Sequence, residues 1–311
     1  MSNEYDCEIT AGGTIPGSQS PAFSLHLPRS LPLPVLIAAP HGGRAYPEET
    51  LADMREPRWS ALRLEDRHAD GLAQEVAQAT GAALLVAHAP RAVLDLNRAV
   101  EDVDWAMVTG RTPRGATHSQ ANRRARSGLG LVPRRLPGLG EIWKSPLPKD
   151  TLERRIAEIH RPYHDTLART METLRDKWGA ALLIDLHSMP PLKHHGEQDK
   201  PAEFVIGDRF GSSCSDSIVA VALSHFGEAR RRVAHNRPYS GGYVLERHAS
   251  PRRGLHAIQL EVCRSAYLDA RLEEPGARIS GVVRLLAGLV RRLASEIAGL
   301  GAAGSVRQAA E

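Results

Sequence analysis

The sequence predicts a single α/β domain in three layers, a mixed and mostly parallel sheet with helices on both faces. Two observations carry that expectation. Short apolar runs of strand length alternate with longer stretches of helical periodicity, the order that a parallel sheet with crossover helices requires. No internal repeat and no Pro/Gly/Ser-rich linker divides the 311 residues into two units. Aromatic residues make up only 5%, so the core must be built from Leu, Val, Ile and Ala.

Taken in order, residues 1–20 are Gly-, Ser- and polar-rich and are expected to form a loose arm, with 21–300 as the single α/β domain and 301–311 as a frayed tail. Buried strands are expected over 34–39, 82–87, 92–96, 180–186, 203–207 and 256–262. The runs 82–87 and 92–96 are close enough for an antiparallel hairpin. Helices are expected over 61–80, 150–178, 215–226 and 281–300.

Composition narrows the function classes. The N-terminus carries Glu4 and Asp6 and no apolar run, so no secretory signal is expected, and the apolar stretch 282–300 is interrupted by Arg284, Arg291, Arg292 and Glu296. Cys7, Cys214 and Cys263 are widely spaced and odd in number, which fits a reducing compartment. The expectation is a cytoplasmic protein, monomer or homodimer, with no membrane partner. Net charge is +4, and apart from Lys144, Lys149, Lys177, Lys193 and Lys200 the 40 basic residues are Arg. Arginine binds phosphate and carboxylate alike, and 36 acids nearly balance it. An Arg-rich nucleic-acid binder is therefore the distant alternative, and no nucleic-acid partner is expected.

One segment breaks the rhythm. From Trp105 to Gly140 there is no acid, while Arg111, Arg114, Arg123, Arg124, Arg126, Arg134 and Arg135 stand among Gly and Pro. It reads either as a solvated insertion or as a basic lid over an anionic substrate.

Ligands in α/β sheets sit at the carboxyl ends of strands. Those ends carry Pro40-His41-Gly42-Gly43, Asn97-Arg98, His187-Ser188 and Gln259-Leu260-Glu261, and Asp66 stands near the helix after the first strand. Two His and carboxylates without Cys suit a catalytic zinc, which takes three protein ligands and keeps a place for water. A carboxylate outside the ligand set would then act as base. Asp185, two residues before His187, points to the same side of its strand and can orient that ring. Competing motifs are missing: there is no GxSxG, no GxxxxGK[ST] and no GxGxxG after a strand. His160 and His164 have helical i,i+4 spacing but no intervening Glu, and His194-His195 lie in a polar loop.

Six blocks in order, Pro40-His41-Gly42-Gly43, the run from Arg91 to Arg98, His160-Arg161-Pro162-Tyr163-His164, Asp185-Leu186-His187-Ser188, Gly241-Gly242-Tyr243 and the run from Glu246 to Glu261, resemble the N-formylglutamate amidohydrolase family, related to zinc carboxypeptidases and aspartoacylases. The resemblance implies a zinc-dependent amidohydrolase, of the kind that serves histidine degradation, with one zinc per chain. It releases formate from an N-formyl amino acid, N-formyl-L-glutamate foremost. The alternative is a deacylase or carboxypeptidase-like hydrolase of another N-acyl amino acid or peptide. His41 and His187 look like the metal histidines, Glu261 like the catalytic carboxylate and Arg91 like the oxyanion arginine. Asn97 and Arg98 look like the carboxylate-holding pair, joined by Tyr243 and by Arg247 or an arginine of the 105–140 segment. The related enzymes place a Glu ligand three residues after the first His, where this chain has Arg44; Asp66 matches the family's Asp, with Glu48 and Glu65 as alternatives for the third ligand.

Overall fold

The structure, a computed structural model, describes residues 6–110, 123–193 and 200–309. Its strands are β1 (Cys7–Gly12), β2 (Phe23–Pro28), β3 (Val35–Ala39), β4 (Ala83–Ala87), the two-residue pieces β5 (Val108–Thr109), β6 (Arg135–Leu136), β7 (Gly140–Glu141) and β8 (Leu147–Pro148), then β9 (Ala181–Met189), β10 (Phe204–Gly207), β11 (Val233–His235) and β12 (Leu255–Cys263). Its α-helices are α1 (Glu48–Asp53), α2 (Pro57–Leu64), α3 (Ala69–Thr80), α4 (Arg123–Arg126), α5 (Lys149–Arg155), α6 (Arg161–Trp178), α7 (Asp216–Glu228), α8 (Tyr243–His248), α9 (Arg264–Tyr267) and α10 (Ile279–Ala309).

Among the described residues, eight strands form one sheet in the order β1-β2-β4-β3-β9-β12-β10-β11. Its centre, from β4 through β3 and β9 to β12, is parallel, and antiparallel pairs flank it at β1–β2, β2–β4 and β10–β12. On β9, alternate side chains separate to opposite faces. Leu182, Ile184 and Leu186 pack with Leu72 and Val76 of α3, Phe226 of α7 and Leu293 of α10. Leu183 packs with Tyr163, Leu167 and Met171 of α6 on the other side. The mixed, mostly parallel three-layer domain expected from the sequence is therefore the one observed.

Four expected elements differ, each for a physical reason. Residues 92–96 form turns, because both edges of β4 are already taken, by β3 on one side and β2 on the other, so no hairpin partner position remains. Part of the expected loose arm, Cys7–Gly12, is the edge strand paired with β2 in unbroken register. The helix expected over 61–80 is two helices, interrupted where His68 takes a left-handed φ of 56°. Helix α10 continues through the expected tail to Ala309. The helical run 150–178 is present with a π turn over Ile156–His160.

Candidate active site

The carboxyl ends of β3, β9 and β12 lie side by side, and their registers place the chemistry. His41 follows Ala39 and Pro40 beyond the end of β3. Ala38 of that strand pairs with Asp185 of β9, and Glu261 of β12 pairs with His187. The turn after His41 needs glycine, since a Cβ on Gly43 would lie 2.3 Å from the Ala89 carbonyl oxygen. The break between α2 and α3 supplies the third group: the Asp66 amide donates to the His41 carbonyl at 2.9 Å, and its side chain turns toward both histidines.

His41, Asp66 and His187 each offer one ligand atom, all within 4.8 Å of one another and all buried. The Nδ1 atoms face Asp66 Oδ2, at 3.6 Å for His41 and 3.0 Å for His187. The Nε2 atoms donate outward to carboxylates, His41 to Asp95 Oδ1 at 2.7 Å and His187 to Asp185 Oδ2 at 2.8 Å. That arrangement, a ring held by a carboxylate through one nitrogen with the other turned inward, is how proteins prepare histidines for a metal. His41 Nδ1 is buried without a hydrogen-bond partner. Two imidazoles and one carboxylate form a donor set that zinc accepts. Glu48 is exposed on α1 and the Glu65 carboxylate accepts from Arg67, so the geometry favours Asp66 over both.

Burial opposes every charge here, and the neighbours decide. Burial alone would raise the Asp66 carboxyl, yet His187 and His41 hold it well below the usual range. Burial would lower His187, yet Asp185, Asp66 and Glu261 raise it well above 6.5. Burial would raise Asp95, yet Arg91, His41 and Arg98 hold it well below the usual range. Glu261 goes the other way: burial, helped by the charges of Asp66 and Asp185, pushes it up to about 7 against the pull of His187 and of the Gln259 amide that donates to it at 2.7 Å.

His41, Asp66, His187 and Glu261 line a cavity of about 310 Å³. Residues 33–268 match a family described as N-formylglutamate amidohydrolase. The chain belongs to the N-formylglutamate amidohydrolase family. N-formylglutamate deformylases of Pseudomonas putida and Pseudomonas aeruginosa are each 30% identical to it; each alignment spans 76% of this chain, and they cover 82% and 83% of those proteins. The crystal structure of N-formylglutamate amidohydrolase from Ralstonia eutropha JMP134 has the same fold, with a TM-score of 0.78 at 29% identity over 89% of this chain and 98% of that one. A protein of Agrobacterium tumefaciens shares the fold at a TM-score of 0.58 and 17% identity, over 89% and 96% of the two chains.

In this amidohydrolase the cavity brings together His41, Asp66, His187, Glu261, Arg91, Asn97 and Arg98 from the sequence-derived set. Arg91 is fixed by Nε donating to Asp95 Oδ2 at 2.9 Å. Arg98 donates Nε to the Leu129 carbonyl and Nη1 to the Asn97 carbonyl, which leaves Nη2 and the second Nη1 hydrogen for a ligand. Tyr243 and Arg247 are a correction: neither lines the cavity. Tyr243 packs against His160 and His164, and Arg247 donates to the Tyr243 hydroxyl at 2.8 Å and lies 3.9 Å from Asp165.

Other arginines stand on the cavity wall. Arg63, Arg124 and Arg264 line the cavity with Arg91 and Arg98. Arg264 is tied to Ser188 Oγ and to the Leu62 and Glu65 carbonyls. Arg63 reaches the Pro137 carbonyl, and neither it nor Arg124 has a carboxylate partner among the described residues. No motif marks Arg63 or Arg264. Arg124 belongs to the acid-free 105–140 segment, of which 111–122 lies outside the described residues. The described remainder is packed: Leu131, Val132 and Leu136 are buried, and Leu129 forms part of the cavity wall. His194 and His195 also lie outside the described residues.

Proposed function

We propose that the protein hydrolyses N-formyl-L-glutamate to formate and L-glutamate with one zinc ion per chain. The observation that carries this reading is one small cavity with two inward Nδ1 atoms and a carboxylate on its floor, Glu261 beside them, and five arginines on its walls. A volume of about 310 Å³ stands at the low end of small-molecule sites, roughly 300–1,000 Å³, and favours a short N-acyl amino acid over a peptide.

His41 Nδ1, His187 Nδ1 and Asp66 would hold the zinc, which when bound supplies a Lewis acid and acidifies water. Glu261, pushed up to about 7, is suited to take a proton from the attacking water and to return it to the leaving amino nitrogen. As water oxygen bonds to the formyl carbon, the carbonyl oxygen gains charge that Arg91 faces; the carbon–nitrogen bond then breaks, giving formate and the free amine. Arg98 and Asn97 would hold the α-carboxylate. Arg63 and Arg124 would take the second carboxylate, because both face the cavity without an acidic partner among the described residues. Burial of Cys214 and Cys263 as free thiols supports a reducing, cytoplasmic setting. No helix among the described residues is long and apolar enough to cross a membrane.

The test is release of formate from N-formyl-L-glutamate by the zinc-loaded protein, after chelation, and after zinc is restored. Activity lost on chelation and regained with zinc is expected. Full activity in protein shown to be metal-free would overturn the zinc reading, and inactivity of the zinc-loaded protein on every N-formyl amino acid would overturn the reaction.

A further inference from the structure

The segment from Asp95 to Arg98 serves the site three times over. Asp95 orients His41, and Asn97 and Arg98 line the cavity. Its backbone is in no helix or strand: the Asn97 amide donates to Asp95 Oδ1 at 2.8 Å and the Arg98 amide to the Asp95 carbonyl at 3.2 Å, a local turn that leaves the Leu96 and Arg98 carbonyls to be held from outside. Three buried histidines surround it that the proposed reaction does not use. His164 Nε2 lies 3.0 Å from the Leu96 carbonyl oxygen, and His160 Nε2 lies 2.9 Å from that of Arg98, so Asn97 is bracketed by two ring donors.

A carbonyl only accepts, so both rings carry their proton on Nε2. Burial, with the charges of His160, His248 and Arg247, holds His164 well below 6.5 and so neutral; its Nδ1 is then an acceptor, and His248 Nε2 donates to it at 2.9 Å. The His164 and His248 rings are stacked, with centroids 5.2 Å apart, and His160 lies tilted against His164 with centroids 4.3 Å apart. His248 closes a circuit: it ends α8, whose Val244 amide donates to Asn97 Oδ1 at 2.9 Å. A Cβ on Gly242, just before that helix, would lie 2.5 Å from Asn97 Oδ1, so the approach is as close as glycine permits. The assembly keeps one buried polar atom, His160 Nδ1, without a partner, an arrangement that packing alone would not favour. His160 also sits at the end of the π turn Ile156–His160, a helix irregularity that recurs at functional sites.

We propose that His160, His164 and His248 form a clamp of neutral rings that positions residues 95–98, setting the placement of Asn97 and Arg98 for the substrate carboxylate. They are positioning residues and touch no reacting atom. The inference rests on the reading of Asn97 and Arg98 as substrate-facing.

The test uses the zinc-loaded full chain and compares His160→Leu, which removes the donor, with His160→Gln, whose side-chain amide restores one at the same reach. Hydrogen exchange of the amides in 92–100, KM and kcat for N-formyl-L-glutamate, and zinc content are measured. For His160→Leu the expected result is faster exchange in that segment and a KM raised about ten- to hundredfold, the scale of a small misplacement at a site, with zinc retained and kcat changed far less. His160→Gln should recover most of both effects. Unchanged exchange in His160→Leu, or equal defects in Leu and Gln, would overturn the clamp. Should His160→Leu fail to fold, His248→Gln and His248→Leu test the same circuit through His164, with the same expected and overturning outcomes. The exchange arm needs no turnover, so it reads the clamp even if N-formyl-L-glutamate proves not to be the substrate.

Discussion

His187 and His164 are buried almost completely and stand on either side of the same segment. Asn97 Nδ2 lies 3.4 Å from His187 Nε2, and His164 holds the Leu96 carbonyl next to it. Their titrations move in opposite directions. Burial works against the charge on both rings, but around His187 the carboxylates of Asp185, Asp66 and Glu261 outweigh it. Around His164 stand two more rings and Arg247, which add to burial and hold it well below 6.5. Burial sets the size of the effect and neighbouring charge sets its sign. Rings enclosed by carboxylates are prepared for a cation; rings enclosed by carbonyls and one another stay neutral and hold backbone.

The sharpest way to break that comparison is to make the same change on each side of it. His187→Ala should cost the zinc, and with it formate release, whereas His164→Ala should keep close to one zinc per chain. Elemental analysis of the purified variants decides; full occupancy in His187→Ala would remove it from the ligand set. Glu261→Gln should retain zinc and lower kcat by about 10²–10⁴, the usual contribution of general acid–base catalysis. Turnover within about tenfold of the parent would take Glu261 out of that role.

A weaker break acts through the carboxylates behind the rings. Asp95→Asn or Asp185→Asn leaves every ligand in place but weakens the group that accepts from Nε2. Zinc affinity, measured by competition with a chelator, should fall about 10–100-fold. Unchanged affinity would mean that these carboxylates do not prepare the rings for metal.

How far this was legible in the sequence differs from element to element. The apolar runs behind β3, β9 and β12 reveal both the sheet and what stands at its ends, because a parallel strand is buried on both faces and its last residues face the ligand. Asp66 is harder to place, since periodicity over 61–80 reads as one helix and does not register the backbone reversal at His68 that aims it. The apolar run 92–96 has strand composition and is buried, but the partner position beside β4 belongs to β2, far away in sequence. Tyr243 and Arg247 sit in matched blocks, yet α8 presents them to His160, His164 and Asp165 rather than to the cavity. Arg63 and Arg264 carry no motif; only the tertiary fold brings them to the site.

Selectivity between substrates is a smaller effect. Arg63→Ala and Arg124→Ala should each lower kcat/KM for N-formyl-L-glutamate several-fold, up to about tenfold, the scale of an ion pair worth roughly 1 kcal/mol at a solvent-exposed position. N-formyl-L-leucine, with its single carboxylate, should be nearly unaffected, and Arg247→Ala should change neither ratio. Equal losses on both substrates would show that these arginines do not read a second carboxylate.

The smallest expected effect concerns the neutral rings and pH. Burial, with the charge of Arg247, lowers His160 to about 4 against its hydrogen bond to the Arg98 carbonyl and the weaker pull of Asp95 and Glu101, and burial, Arg247 and the His160 ring lower His248 to about 3. An unfolded chain protonates these rings near their ordinary value of 6.5, while the folded chain leaves them neutral. Their contribution to stability is therefore complete above about pH 6.5 and is lost as the pH falls from there toward 4, at about 1.4 kcal/mol per pH unit for each ring. His160→Gln removes one such ring. Its melting temperature should lie below that of the parent at pH 7.5, and the gap should narrow on acidification to pH 5. Because both proteins carry the same proposed metal ligands, any acid loss of a bound metal would be common to the two curves and drop out of their difference. A gap that stays constant from pH 7.5 to 5 would show that His160 is not held neutral against protonation, and the contrast with His187 would then rest on geometry alone.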